Sequence, residues 1–257
     1  MKHLFFLAIA ILSIAMTSCT EKIVGEGPII TETLNIDEFS KFTLASSFDV
    51  HIEQGNEQTV IAEGHENIIN RLITTISNDR FTADLENGNY KNIQLKLFIT
   101  TPLLSEIKSD ASGDIEITSM NLDNLSIMVA GSGNITVEND INITQQTNLE
   151  SDGSGNINIE TLTTNALNAQ VQGSGNIEVE SGSTDELDVL VDGSGNVKLF
   201  GLASTACTVA SDGSGDTTVN VTDNLDVTIS GSGDVEYIGN PTINITDDGS
   251  GNLIDAN

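Results

Sequence analysis

Aspartates beside a repeated tripeptide are the residues whose spacing best suits ligand chemistry. Four of them stand directly before Gly-Ser-Gly: Asp152, Asp192, Asp212 and Asp248. Stacked carboxylates, with nearby asparagine and backbone oxygens, could give Ca²⁺ the roughly six to eight oxygen ligands that it prefers. Gln172 and Ala130 occupy the same place in other copies, which favours structural turns over metal sites. The sequence therefore predicts no metal site, and Ca²⁺ is the single cofactor that it leaves open.

Groups that could catalyse a reaction are scarce. The histidines His3, His51 and His65 form no recognisable set with a serine or cysteine nucleophile. A polysaccharide lyase commonly uses a basic side chain, and Lys198 is the only Lys or Arg in residues 109–257. Hydrolysis by paired carboxylates stays open because acids are abundant. We predict that the protein is not an enzyme and has no catalytic residues, with a glycan hydrolase or lyase as the alternative.

The charge balance limits the partners. Asp and Glu number 38 against nine Lys and Arg, which gives a formal net charge of −29. Such a surface repels nucleic acids and anionic lipid headgroups. There is no Trp, and aromatic residues make up only 4% of the chain. Few rings could therefore stack on a sugar, and Tyr90, Tyr237 and Phe200 are the candidates.

The N-terminus has the layout of a secretory signal. Lys2 precedes an apolar run over residues 4–16, which is too short to span a bilayer. The following Ala-Met-Thr-Ser-Cys resembles the bacterial lipobox, in which the cysteine is lipidated. We predict a signal peptide at residues 1–18, lipid attachment at Cys19 and a linker within residues 19–35. The chain would then be an outer-membrane lipoprotein; an ordinary signal peptide with an unmodified cysteine is the alternative.

An internal repeat indicates the elements that must position these residues. Ser-Gly-Asn or Ser-Gly-Asp recurs eight times at intervals of 18 to 22 residues. Its glycines are Gly113, Gly133, Gly155, Gly175, Gly195, Gly215, Gly233 and Gly251. A fixed period of this length is typical of solenoids, in which each coil stacks on its neighbour. We predict an all-β solenoid with coils of about 20 residues and these glycines as a structural turn motif.

Alternation around each motif predicts strands. Leu187, Val189 and Val191 show the pattern of every second residue being apolar, as expected for a strand with one buried face. Cys207 falls on the apolar side and is predicted to be a buried core thiol. The motif glycines share this parity, so we expect a tight corner where a side chain would collide with neighbouring backbone. The Asn or Asp that follows is expected to adopt a positive φ.

The first part of the domain is less regular. Residues 47–52 echo residues 232–237, which indicates that the solenoid begins there. A turn or short helix is expected at residues 65–70, with strands after it. We predict one domain over residues 36–257, in which irregular coils at 36–108 cap the eight repeats at 109–257. An uncapped solenoid would expose sheet edges.

The motifs together resemble the putative auto-transporter adhesin, head GIN domain family. The resemblance lies in residues 39–44, in Phe-Asp-Val-His-Ile at 48–52 with the following Gln54-Gly55, and in the Gly-Ser-Gly-Asn series. It covers about residues 36–250. It implies a single-stranded, right-handed parallel β-helix that lacks catalytic residues. It also implies a bacterial envelope protein with a role in cell adhesion.

The predicted function is a cell-envelope lipoprotein that acts as an adhesin or ligand-binding surface module. The lipid would hold it to the membrane, and a host or microbial glycan or protein would be its ligand. Two alternatives stay open. One is a β-helix enzyme acting on polysaccharide, and the other is a structural envelope protein without a dedicated ligand.

Overall fold

The computed structural model describes residues 22–257 and shows a β-solenoid of about eight turns. Its strands are β1 Lys22–Val24, β2 Ile29–Leu34, β3 Lys41–Leu44, β4 Asp49–Gln54, β5 Thr59–His65, β6 Leu72–Ser77, β7 Arg80–Leu85, β8 Asn89–Lys91, β9 Leu95–Thr101, β10 Glu106–Ser109, β11 Ile115–Ile117, β12 Met120–Val129, β13 Ile135–Ser151, β14 Ile157–Val171, β15 Ile177–Val191, β16 Val197–Ser211, β17 Thr217–Ile229, β18 Val235–Gly239, β19 Thr242–Asp247 and β20 Leu253–Asp255. The helix α1 comprises Glu66–Ile69. No helix in residues 22–257 is long and apolar enough to cross a bilayer.

Each regular coil contributes to three parallel ladders. In strand β14, residues 157–159 belong to ladder B, residues 162–164 to ladder C and residues 167–171 to ladder A. Each segment pairs in parallel with the segment 20 residues later in β15. The Gly-Ser-Gly corner joins ladder A of one coil to ladder B of the next. The coil therefore has three faces, a number that the alternation alone left undecided.

The predicted alternation is confirmed in the core. The inward residues of ladder B are at most 1% exposed: Ile157, Ile177, Val197, Ile159, Val179 and Leu199. These side chains stack on their equivalents in adjacent coils and form one continuous core. Cys207 is 3% exposed, as predicted. Each inner coil packs on two neighbours, so stability is built from similar coil–coil interfaces.

The first part of the described chain departs from the coil pattern. Strands β2, β5 and β9 form antiparallel pairs, and β9 then pairs in parallel with β4, which continues ladder B. The β6–β7 hairpin reaches ladder A through β3. Helix α1 lies where a turn or short helix was expected, and its Ile68 and Ile69 are buried.

The segment predicted as a linker is more structured than its composition suggested. Strand β1 pairs with β8, and β2 lies antiparallel on β5 along its whole length. The reason is visible in β2 itself, where Ile30 and Leu34 are only partly exposed and pack against the core. The predicted signal peptide and Cys19 lie outside the described residues.

The expectation of positive φ at the corners is wrong. Within residues 22–257, the residues with positive φ are Gly27, Gly182, Gly239, Asn78, Asp79 and Asn92, and none of them belongs to a Gly-Ser-Gly corner. The corner backbone turns without entering the left-handed region. The glycines are required because stacked coils approach too closely for a side chain, which is the collision expected from the sequence.

Candidate functional site

The corner glycines stack too closely to carry side chains. A Cβ on Gly155 would lie 2.0 Å from the carbonyl oxygen of Gly133, and a Cβ on Gly175 would lie 1.9 Å from that of Gly155. All eight predicted turn glycines are buried and meet a backbone oxygen at 1.8–2.0 Å in this way. The predicted collision is therefore confirmed. The backbone N–H of Ser174 donates to the carbonyl oxygen of Gly153 at 2.8 Å, which ties adjacent corners together.

The residues after the corners form a hydrogen-bonded column along the solenoid. The backbone N–H and the Nδ2 of Asn176 both donate to Oδ1 of Asn156, each at 2.9 Å. Asn196 repeats this on Asn176 at 2.9 and 3.1 Å. Where aspartate replaces asparagine, the side chain still accepts a hydrogen bond but has no amide to donate. The backbone N–H of Asp234, for example, donates to Oδ1 of Asp216 at 2.9 Å. The column provides acceptors for the backbone N–H groups that follow the corners. Most of its side-chain amides are hydrogen-bonded to one another and are therefore not available to a ligand.

The aspartates before the corners do not gather into a metal site. Asp152, Asp192, Asp212 and Asp248 are exposed. Within residues 22–257, no group of three or more His, Cys, Asp or Glu side chains is arranged to hold a metal ion. The described residues therefore contain no cluster of carboxylates that suits calcium binding.

Face A, the outward side of ladder A, carries a shallow groove across five coils. Its lining residues are Ser126, Asn148, Leu149, Glu150, Asn168, Ala169, Gln170, Asp188, Val189, Leu190 and Thr208. Asn168 Nδ2 donates to Asn148 Oδ1 at 2.9 Å, so amides stack here as they do at the corners. The groove presents amide, hydroxyl and carboxyl groups on a rigid sheet.

Glu150 is the most perturbed acid of this groove. Burial raises the pKa of its carboxyl group, and the nearby carboxylate of Asp152 raises it further, while Lys108 opposes the shift. When it is protonated, a carboxyl group donates a hydrogen bond as well as accepting one. The repeat did not reveal it, because the equivalent residues, Met128 and Gln170, carry no charge.

Face B, the outward side of ladder B, contains a second recess. Its lining residues are Glu178, Val179, Glu180, Asn196, Lys198, Phe200, Gly201, Asp216, Thr218 and Glu236. Lys198 Nζ lies 3.8 Å from Glu178 Oε2, and both side chains are more than 40% exposed. Of the three aromatic candidates in the sequence, Phe200 is the one found in this recess, among residues that can accept and donate hydrogen bonds.

The remaining titratable candidates have structural surroundings. Burial raises the pKa of the Cys207 thiol well above its ordinary range, which keeps it protonated, and Asp188 adds to the effect. His51 is half-buried rather than fully exposed, with Nδ1 3.8 Å from Glu116 Oε2. Lys96 Nζ lies 2.8 Å from the same carboxylate oxygen. This cluster ties β4, β9 and β11 together, and no nucleophile belongs to it.

Comparison with known proteins agrees with this architecture. The family model described as "Putative auto-transporter adhesin, head GIN domain" matches residues 38–145 and 127–241. A solved putative adhesin from Parabacteroides merdae has a similar fold, with a TM-score of 0.82 and 22% sequence identity, over 91% of this chain and 99% of that one. No curated protein matches the chain.

Two further solved structures have the same fold. A putative lipid binding protein from Parabacteroides distasonis is 26% identical, with a TM-score of 0.76 over 91% of this chain and 100% of that one. A putative adhesin from Bacteroides fragilis is 24% identical, with a TM-score of 0.70 over 90% of this chain and 98% of that one. At these identities the structures establish the fold rather than a ligand.

Proposed function

Because this chain belongs to the family described as "Putative auto-transporter adhesin, head GIN domain", we propose that it is an adhesin of the bacterial cell envelope. In this proposal the solenoid binds its ligand on a lateral face and does not transform it. The lipid on Cys19 anchors the module to the outer membrane. The ligand is a glycan or a protein outside the membrane.

The observation that carries the proposal is the groove of face A. Its side chains project from neighbouring coils about 4.8 Å apart, so they form a regular array of donors and acceptors. Such an array suits an extended ligand that makes many similar polar contacts. Because the backbone of each coil is fixed by hydrogen bonds to the next, little ordering is needed when the ligand binds.

Catalysis receives less support from the same geometry. The conspicuous acids of the coils, such as Asp192 and Asp212, are exposed and recur with the repeat. Glu150 is the exception, because it departs from the repeat and burial raises the pKa of its carboxyl group, as is usual for a general acid. The test of the proposal must therefore measure product release together with binding.

The experiment uses soluble protein from Thr20 to Asn257 on an array of microbial and host glycans and matrix proteins. Retention is measured with Ca²⁺ and again with EDTA, and the supernatant is analysed for released sugars. The proposal predicts saturable retention without products. A face A variant, Asn168→Ala with Gln170→Ala, should lose most of that retention, whereas Thr163→Ala, at an exposed position of ladder C, is the matched control.

Other outcomes would redirect the assignment. Released sugar products that disappear in Glu150→Gln would replace the adhesin with a glycan-active enzyme. Retention that EDTA abolishes would show that a cation takes part in binding. Absence of retention on every glycan and matrix protein would contradict the proposal and favour a structural envelope role.

A further inference from the structure

We propose that the recess around Phe200 on face B binds a neutral hexopyranose sugar. The proposal rests on the adhesive function above and names the ligand class of one site within it. The ring of Phe200 would stack on the C–H face of the sugar. Lys198 and the neighbouring carboxylates would hydrogen-bond to the hydroxyl groups.

The first support is a break in the repeat. The outward residues 20 and 40 positions before Phe200 are Glu180 and Glu160, so an acid is the regular choice at this place. The only aromatic residues in 109–257 are Phe200 and Tyr237. Local departures from an otherwise consistent pattern are expected at functional sites.

The backbone next to the ring is also irregular. Pairing with the following coil is interrupted between Leu199 and Ala203. At Gly201, a Cβ would lie 1.7 Å from the carbonyl oxygen of Glu180, so this residue must be glycine. No side chain therefore rises beside the Phe200 ring at the next position. Asn220 Nδ2 donates to the carbonyl oxygen of Phe200 at 3.2 Å, which holds the ring-bearing segment in place.

The recess contains both hydrogen-bond donors and acceptors, as a ligand with hydroxyl groups requires. Lys198 is a donor, and Glu178, Asp216 and Glu236 are acceptors. The contact of 3.8 Å between Lys198 and Glu178 is too long for a good hydrogen bond, so both groups can turn to a ligand. The recess holds about 500 Å³, a volume within the usual range of small-ligand sites.

Charge selects among ligands with an apolar face. An acidic sugar would meet the carboxylates of Glu178, Glu180, Asp216 and Glu236, which repel it. A cationic ligand would be attracted by these carboxylates, but it would leave the Lys198 ammonium group, which can only donate, without an acceptor. A neutral sugar uses both kinds of group, because its hydroxyl groups can donate to the acids and accept from the lysine.

The test is titration of the Thr20–Asn257 protein followed by NMR. The probes are the methyl glycosides of glucose, galactose and mannose, with methyl glucuronide as the anionic probe and trilysine as the cationic probe. At least one neutral glycoside should bind, and its Kd should rise at least tenfold in Phe200→Leu. That variant keeps an apolar side chain but removes the flat ring. Lys198→Met should also weaken binding.

The matched control is Leu103→Ala, an exposed apolar residue outside the groove of face A and the recess of face B, which should leave the Kd within twofold. Thermal unfolding of each variant checks that the fold is intact. The proposal is overturned if no neutral glycoside binds, if Phe200→Leu binds equally well, or if only trilysine binds in a manner that depends on Phe200. Array retention that survives Phe200→Leu would leave the adhesive function standing while this site fails.

Discussion

At Gly175, a methyl group would lie 1.9 Å from the carbonyl oxygen of Gly155 in the preceding coil. Neither backbone can move without breaking the bonds that join successive corners. We therefore expect Gly175→Ala to lower the free energy of unfolding by about 2–3 kcal/mol, the usual size of a strong overpacking effect. Urea unfolding at neutral pH measures this change.

The control for that substitution lies in the same corner. Ser174 is exposed, so Ser174→Ala should alter the unfolding free energy by no more than about 0.5 kcal/mol. If the two variants unfold at the same urea concentration, contact distance is not the reason for the glycine. The sequence identified these glycines and the collision that excludes a side chain, but the positive φ expected for the following residue was wrong, because spacing along the chain does not reveal how the corner backbone turns.

The carboxylate of Glu116 gives a residue-scale prediction about pH. The hydrogen bond from Lys96 holds the pKa of Glu116 below its ordinary value of 4.5, despite the opposing effect of burial. A lowered pKa in the folded state stabilises the protein above that ordinary value, and the contribution disappears as pH falls through the folded-state pKa. Because both groups are partly exposed, the contribution should be about 0.5 kcal/mol.

Glu116→Gln should therefore destabilise the protein at pH 7 and do so less at pH 3. Urea unfolding at both pH values measures the difference from the natural chain. Glu178→Gln is the control, since its contact with Lys198 is 3.8 Å and should contribute nothing measurable. An equal loss at both pH values would show that Glu116 acts through packing rather than charge.

At the scale of the element, the asparagine column joins coil to coil. Asn176 donates to Asn156 and accepts from the N–H and Nδ2 of Asn196. Asn176→Ala removes these bonds and should cost about 1–2 kcal/mol, given roughly 1 kcal/mol per hydrogen bond. Asn176→Asp keeps the acceptor, as Asp216 and Asp234 do, and should cost less. Unfolding midpoints in urea rank the three proteins, and the reverse order would contradict the role of the acceptor.

The sequence predicted strands and corners but not the whole coil. Period-two alternation marked the buried side of ladders A and B. The bend between ladders C and A was missed, because it is held by buried threonines that look like ordinary strand residues. Thr184 Oγ1 donates to the carbonyl oxygen of Glu186 at 2.8 Å, and Thr164 does the same to Ala166 at 3.1 Å. Strand β2 was missed because glycine and proline precede it.

At the scale of the whole molecule, charge is unevenly distributed. Most of the 38 acids lie in residues 109–257. Lys198 is the only Lys, Arg or His in that part of the sequence. Repulsion among these carboxylates opposes the compact state, and salt weakens it. The screening length falls from about 30 Å at 0.01 M salt to about 8 Å at 0.15 M. We expect the Tm to rise by several degrees when NaCl increases over this range.

Differential scanning calorimetry at constant pH measures this effect. KCl in place of NaCl is the control, because screening does not depend on which monovalent cation is present. A Tm that stays constant or falls with added salt would show that the acidic surface is already neutralised within the fold.

The candidate surfaces were only partly predictable. Phe200 was recognisable as a stacking candidate, because aromatic residues are rare in this chain. The neighbouring acids Glu178, Asp216 and Glu236 were not, since they lie on adjacent coils and approach Phe200 only when the coils are stacked. The groove of face A was missed for the same reason. Its polar residues occupy outward positions, which the alternation predicts to be solvated.

The most direct test of the adhesive function is attachment of bacteria that display the full chain. Cells with the natural chain should adhere to surfaces coated with mucin, collagen or fibronectin, and soluble Thr20–Asn257 protein should compete. Cells with Cys19→Ser, which removes the predicted lipid site but leaves the described fold unchanged, should not adhere. Equal attachment by cells that carry the chain and cells that lack it would contradict the account.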